Sequence, residues 1–265
     1  MERIGVYLYG FIPGGPPLDL DNLAGVEGAG TVRVAQLGGA SAVVGEVSVD
    51  AFEAAMAEGP DPAWLIPRAL GHERVLGAIL ARSAVLPARF GSLFSSDAAL
   101  VDLVAGHLGA IGEYFARIGD QREWSLRGYL DSEVATGRVL ENDPILAKRV
   151  AELPDSPGAR YFREKKLRED ARVVARRAAG AEAAAIRQAI REVASDARSL
   201  PLRAPEASGR EMVLHEAALI ARGRESQALT AAGVASEAAG GLLTLEPSGP
   251  WPPFHFCPDL SEIPR

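Results

Sequence analysis

The hydrophobic pattern of the first fifty residues predicts three short strands. Ile4–Phe11 is rich in aromatic and β-branched residues, and the proline- and glycine-rich segment Pro13–Pro17 ends it. Thr31–Leu37 and Ala42–Val49 also have strand-like sequences, and they flank Gly38-Gly39. Because glycine tolerates the positive φ of a tight turn, these two segments are predicted to form an antiparallel hairpin.

Apolar residues recur at helical spacing after residue 50. A short helix is predicted over 50–58, and a second one over 61–82, where an aspartate cap is followed by proline in the first turn. The clearest apolar stripe in the chain predicts a single long helix over 96–119. Between the second and third of these helices, Val85–Phe94 is strand-like, and Pro87 within it indicates an edge strand or a bulge.

The second half of the chain contains, in order, strand, helix, strand, strand, helix and strand segments. Its first helix is long, alanine-rich and free of proline, and it is predicted over 159–198. The other predicted segments are the strands Glu123–Tyr129, Ser199–Ala204, Glu211–Ala221 and Gly241–Glu246, and the helix Glu225–Ala239. This order is that of a ferredoxin-like split βαβ unit.

We therefore predict an α+β fold with two domains, each a small, mostly antiparallel sheet packed with helices. Residues 122–246 form the ferredoxin-like (βαββαβ) domain, and residues 1–121 form a looser variant of it. Residues 247–265 form a tail with six of the 18 prolines of the chain, so we expect this tail to be extended. The tail either docks on a domain or is mobile.

Charge is distributed unevenly along the 265 residues. The chain has 28 basic and 35 acidic residues and a net charge of −7, whereas the helix predicted over 159–198 has eleven basic and six acidic residues. This segment, with a net charge of +5, is either the solvated face of a long helix or a surface for an acidic partner. Under the second alternative, the candidate contact residues are Arg163, Lys165, Lys166, Arg168, Arg172 and Arg176.

Composition also limits the compartment and the class of partner. The single cysteine, Cys257, excludes a disulfide framework and fits a reducing cytosol. No apolar run approaches the roughly 20 residues that cross a bilayer, and the N-terminus lacks a signal-peptide pattern. The net negative charge argues against general nucleic-acid binding. We expect a soluble cytoplasmic protein that binds neither nucleic acid nor membrane.

Local motifs for catalysis and cofactor binding are absent from the sequence. It contains no G-x-x-x-x-G-K-[ST], no G-x-G-x-x-G and no G-x-S-x-G. The four histidines lie at least 35 residues apart, so none has the i, i+4 partner of a helical metal site. His72 falls on an apolar helical stripe, which favours a hydrogen-bonded core histidine. We expect no enzyme activity and no catalytic, cofactor or metal site.

Two segments contain side chains of the kind that contact other proteins. In the strand predicted over 85–94, Arg89 lies opposite Phe90, and a strand arginine must reach solvent, pair with a carboxylate or bind a partner. Both residues are candidate contacts with a partner or between the domains. Near the C-terminus, aromatic residues surround two prolines in a sequence suited to docking in a groove, either of this protein or of another one. The residues of this second segment are Trp251, Pro252, Pro253 and Phe254.

Five motifs, taken together and in order, resemble the gas vesicle protein F/L family (GvpF/GvpL). They are Val6–Gly10, His72–Leu76, Val85–Phe94, Glu123-Trp124 and Gly249–Phe254. The sequence departs from the usual family pattern at two positions. Ser92 takes the place of a threonine, which keeps the hydroxyl, and Phe254 takes the place of a tyrosine, which loses it.

The resemblance implies a non-enzymatic role in building gas vesicles, the hollow protein shells that give microbial cells buoyancy. Such a protein would be cytoplasmic and associated with gas vesicles. It would bind the shell protein and other accessory proteins as a chaperone, an adaptor or a nucleation factor. The alternative is a minor structural component retained in the mature vesicle. The family also implies a two-domain α+β fold with ferredoxin-like character.

Overall fold

The chain consists of two units, one of which is discontinuous in sequence. The computed structural model describes residues 2–15, 18–20, 23–28, 32–204 and 210–260. The first unit contains the residues up to Glu123 and those from Pro250 onward, and the second unit is Trp124–Gly249. Thr31 of the predicted hairpin, Pro16 and Pro17 of the loop before it, and residues 261–265 of the tail lie outside the described residues.

The sheet of the first unit is antiparallel. Its described strands are β1 (Ile4–Pro13), β2 (Arg33–Gln36), β3 (Ala40–Ser48), β4 (Leu86–Pro87) and β5 (Leu93–Phe94). They lie in the order β2-β3-β1-β4, and β5 also pairs with β1. β2 and β3 form the hairpin predicted around Gly38-Gly39.

The segment predicted as one strand over 85–94 is two short strands with a turn between them. β4 pairs with Gly10 and Phe11, and β5 pairs with Val6 and Tyr7. The chain leaves the sheet between them, where Gly91 has φ of 85°, a left-handed conformation that favours glycine. The expected alternation of residues 89 and 90 across a strand is therefore wrong, whereas Pro87 does lie in an edge strand.

The helices described in the first unit are α1 (Val49–Glu58), α2 (Pro62–Arg82), α3 (Asp97–Ala105) and α4 (Leu108–Ile118). The single helix predicted over 96–119 is wrong, because the chain bends by 78° between α3 and α4. Gly106, a poor helix former, lies at the bend. The bend leaves each helix with its own buried apolar residues, namely Leu100 and Val104 in α3, and Ile111, Tyr114 and Ile118 in α4.

The second unit has one sheet and four described helices. Its strands are β6 (Gln121–Asp131), β7 (Asp196–Ser199), β8 (Arg210–Ala221) and β9 (Leu243–Trp251), in the order β7-β8-β6-β9. Its helices are α5 (Ser132–Asn142), α6 (Pro144–Ala151), α7 (Pro157–Val193) and α8 (Glu225–Ala238). The mixed α+β class with two small antiparallel sheets is confirmed, and the ferredoxin-like assignment stays a prediction.

Several boundaries in this unit differ from the predicted ones. The basic helix ends at Val193 rather than at residue 198, because Asp196–Ser199 pairs with β8 as a strand. The strand predicted over 199–204 is accordingly displaced toward the N-terminus. The last strand continues to Trp251, so the tail predicted from residue 247 begins inside β9.

Small residues on one face of α7 pack it against the rest of its unit. Ala171, Ala175, Ala179 and Ala183 recur every fourth position and are buried, and Ile186 continues the same face. Small side chains permit a close approach of α7 to its neighbours.

Within the described ranges, no single helix has both the length and the apolar composition to cross a membrane, although the bent pair α3–α4 meets these two criteria when it is taken together.

Candidate functional site

The C-terminal segment packs within the first unit. β9 ends at Trp251, and a short 3₁₀ turn follows at Phe254–Phe256. Pro252 and Pro253 are buried, and Phe256 is fully buried. Of the two roles that the sequence left open for this segment, its described residues therefore show docking on this protein.

Hydrogen bonds from two other elements hold this segment. The buried carboxylate of Glu123 accepts the main-chain N–H of His255 at 2.9 Å and contacts His255 Nδ1 at 2.6 Å. The guanidinium of Arg117 donates to the Phe256 carbonyl at 2.6 Å. The thiol of Cys257 donates to the Pro253 carbonyl at 3.3 Å, so this cysteine stabilises the turn itself.

An aromatic cluster supports the same region from the core of the unit. The Tyr7 hydroxyl lies 2.8 Å from His72 Nδ1 and accepts the main-chain N–H of Gly91 at 3.2 Å. Phe90 packs edge-on against both rings, with centroid distances of 6.3 Å to Tyr7 and 6.0 Å to His72. Phe90 is thus part of this core, and His72 is the hydrogen-bonded core histidine that its apolar stripe predicts.

Burial changes the proton affinity of these aromatic groups. It lowers the pKa of His72 to about 4, because the charged imidazolium would lose its hydration. It raises the pKa of Tyr7 and raises that of Tyr9 to about 12, since a phenolate would be equally poorly solvated. These groups are therefore neutral at pH 7 and act through packing and hydrogen bonding.

The turn between β4 and β5 presents Arg89 to solvent. Ser92 closes this turn, since its hydroxyl donates to the Arg89 carbonyl at 2.8 Å and its main-chain N–H donates to the same oxygen at 3.2 Å. The hydroxyl at position 92 thus has a structural role. The Arg89 side chain is exposed and has no hydrogen bond or ion pair with any residue that the structure describes.

Arg89 borders a cavity of about 320 Å³ in the first unit. One wall is apolar and consists of Leu8, Phe11, Leu86 and Pro87. The opposite wall comes from the C-terminal segment and includes Phe254, which is 37% exposed, and His255. This arrangement can accept an apolar side chain and, beside it, a carboxylate. Two of the motifs noted in the sequence, 85–94 and 249–254, meet at this cavity.

The six basic residues selected on the long helix do not form one site. Arg172 pairs with Glu133, and Arg176 pairs with Glu211 at 3.1 Å. Lys166 lies 3.8 Å from Asp170, one turn further along α7. The remaining three have no ion pair with a described residue, and they are Arg163, Lys165 and Arg168.

Two buried glutamates that accept main-chain hydrogen bonds were not among the residues predicted from the sequence. Glu123 belongs to one of the five motifs, and its carboxylate holds the C-terminal segment through His255. Glu182 is fully buried in the second unit, where its carboxylate accepts hydrogen bonds from the Ser236 hydroxyl and from the main-chain N–H groups of Leu242 and Leu243. The available signal for Glu182 was its place on the alanine face of α7.

Among the described residues, no three or more His, Cys, Asp or Glu side chains form a group that could hold a metal ion.

Comparison with known proteins identifies the family. The profile of the family described as gas vesicle synthesis protein GvpL/GvpF matches residues 5–258. The chain belongs to this family. The resemblance inferred from the five motifs is thereby confirmed, and a role related to gas vesicles follows from membership.

Individual GvpL/GvpF relatives agree with this assignment. A protein named gas vesicle protein F from Streptomyces sp. (strain CB03234) is 26% identical over 187 residues, which cover 71% of this chain and 76% of that protein. The crystal structure of GvpF from Anabaena sp. PCC7120 has a TM-score of 0.67 at 18% identity and covers 96% of this chain and 98% of its own. GvpF from Microcystis aeruginosa has a TM-score of 0.62 at 21% identity, with coverage of 95% and 98%. These two structures support the fold.

Proposed function

We propose that this chain is an accessory protein of gas vesicle assembly that binds the shell protein and other accessory proteins as a chaperone, adaptor or nucleation factor. It acts in the cytoplasm, at the gas vesicle, and without catalysis. Family membership supports the gas vesicle context. Binding rather than chemistry is supported by the state of the buried polar groups, since His72, Glu123 and Glu182 are all engaged in structural hydrogen bonds.

The observation that carries the proposal is the cavity beside Arg89. A shell protein that polymerises into an apolar-lined wall exposes aggregation-prone surface before assembly. The apolar wall of the cavity can cover such a surface, and the Arg89 guanidinium, which pairs with no described residue, can pair with a neighbouring carboxylate of the same partner. Arg89 and Phe254 of the cavity lining are exposed to solvent, so a side chain of a partner can reach the cavity without unfolding of the first unit.

A binding experiment with charge-reversal variants tests this proposal. Purified shell protein and each accessory protein of the same gene cluster are captured on the wild-type protein, on Arg89→Glu and on Arg74→Glu. Arg74 is an exposed arginine of the same unit that lies outside the cavity, so it serves as the matched control. We expect Arg89→Glu to weaken binding about tenfold and Arg74→Glu to leave it unchanged. If the wild-type protein captures none of these proteins, the proposal is wrong.

Salt and urea separate the remaining alternatives. Electrostatic pairing at Arg89 predicts that binding weakens between about 50 and 500 mM salt, since the Debye length falls severalfold over this range. Purified vesicles can also be washed with urea and blotted for this protein. Removal by urea supports a transient or surface-bound factor, whereas retention supports a minor structural component of the wall.

A further inference from the structure

A second cleft lies in the other unit, between the end of α6 and the first half of α7. We call it the α6–α7 cleft, and it has a volume of about 440 Å³. Its floor is formed by Leu153 and by the buried Leu167, which belongs to a small hydrophobic cluster of its own. Phe162 forms one wall and is 72% exposed, an unusual position for a large aromatic side chain. The cleft therefore contains an apolar part formed by Leu153, Phe162 and Leu167.

Positive charge surrounds this apolar surface. Arg149, Arg163 and Lys166 line the cleft, with Glu152 as the one acidic residue among its lining side chains. Asp170 partly neutralises two of them, since it lies 2.8 Å from Arg149 and 3.8 Å from Lys166. Arg163 has no ion pair with a described residue, and the same holds for Lys165 and Arg168, which are exposed on the same helix. A partner with carboxylates would thus gain charge pairing here at little cost to existing pairs.

We propose that the α6–α7 cleft binds an acidic amphipathic helix of a partner protein, which inserts an apolar side chain next to Phe162 and pairs its carboxylates with Arg163 and Lys166. The inference rests on the proposed function, because it names a surface and a partner chemistry for binding to an accessory protein. In helix-in-groove recognition an amphipathic helix lays its apolar face into a hydrophobic groove, and here a basic rim would complement the acidic face of that helix. The volume of the cleft lies in the usual range for pockets and accommodates a large side chain.

The shape of the surface favours a protein over a lipid bilayer. Phe162 and Leu167 line a concavity closed on one side by the end of α6, whereas a helix that lies on a membrane presents a convex apolar face.

Fluorescence anisotropy with a defined probe tests the proposal on the full-length protein. The probe is a labelled acidic helix of leucine and glutamate in heptad order, and its control is a scrambled peptide of the same composition. We expect Phe162→Ala and Arg163→Glu each to weaken probe binding about tenfold. Val173→Ala and Arg177→Glu alter exposed residues of the same helix outside the cleft, and we expect both to bind like the wild type.

Several results would overturn the proposal. These are equal binding of the scrambled peptide, wild-type affinity in the two cleft variants, and equal losses in the two control variants. If the wild-type protein binds phosphatidylglycerol vesicles and Phe162→Ala abolishes this binding, the cleft is assigned to a membrane instead. If the protein dimerises and the same substitution abolishes dimerisation, the cleft is assigned to a second copy of this chain.

If the shell protein still binds Phe162→Ala while the probe does not, the proposed function and this inference both stand. If all captured proteins bind Phe162→Ala and Arg163→Glu normally, only this inference fails.

Discussion

Glu123 and His255 lie 132 residues apart in sequence, and the carboxylate of the first contacts both the main-chain nitrogen and the imidazole of the second, at 2.9 and 2.6 Å. The main-chain N–H of His255 donates to one carboxylate oxygen of Glu123, and the imidazole Nδ1 lies against the other oxygen. The carboxylate is buried, which makes each of these bonds costly to lose.

Replacement of Glu123 by glutamine should loosen the C-terminal segment. The amide keeps the volume but loses the negative charge, so the bonds to His255 weaken and the free energy of unfolding falls by about 1–3 kcal/mol. Urea unfolding and hydrogen exchange at the His255 amide measure these changes. Glu113→Gln, an exposed change on α4, is the control. Exchange at His255 that is equally slow in both variants would show that the carboxylate does not hold the segment.

Truncation of Phe256 should destabilise the protein far more than truncation of its neighbour Phe254. Phe256 is fully buried, and a phenylalanine-to-alanine change in a core costs about 3–5 kcal/mol. Phe254 borders the cavity and is partly exposed, so we expect a loss of about 1 kcal/mol or less. Thermal and urea unfolding of the two alanine variants give the comparison. Similar losses for both would contradict the packing of the segment described above.

His72 should make stability depend on pH. Its pKa is about 4 in the folded protein, against an ordinary value of 6.5. Between these values the unfolded chain binds a proton that the folded protein does not, so the free energy of unfolding falls as pH is lowered from about 6.5 to 4. The loss reaches about 3 kcal/mol at the lower end of this range.

A His72→Gln variant isolates this effect. Glutamine does not titrate, so the part of the pH dependence due to His72 should disappear, although stability at pH 7 is lower because the contact with Tyr7 is altered. Urea unfolding of both proteins at pH 7, 5.5 and 4.5 provides the test. Parallel stability curves for the two proteins would mean that His72 is not buried in the neutral form.

Removal of the Glu182 carboxylate should be among the most damaging single changes in the second unit. In Glu182→Ala the Ser236 hydroxyl and two main-chain N–H groups lose their acceptor inside the unit, which costs about 3–5 kcal/mol. Glu192→Ala removes an exposed carboxylate from the same helix and should change the free energy of unfolding by about 0.5 kcal/mol or less. Equal unfolding midpoints for the two variants would refute the structural role of Glu182.

Local sequence signals predicted the elements that local physics controls. Asp61 caps α2 by accepting the N–H of Ala63, as its place before a proline indicates. The pattern was misleading where tertiary packing overrides it, as in the bend between α3 and α4, where both halves of one apolar stripe are buried in separate helices. The turn at Gly91 is a similar case, because its glycine permits a strand-like sequence to leave the sheet.

The sequence by itself determined the family, the α+β class and most of the helices and strands, because motif order, apolar periodicity and capping residues act over a few neighbouring positions. Only the tertiary structure decided which side chains meet. The pairing of Glu123 with His255, the burial of Glu182 and the cavity between Arg89 and Phe254 all join segments more than fifty residues apart. Contacts of this kind depend on how whole elements pack, so no local pattern in the sequence contains them.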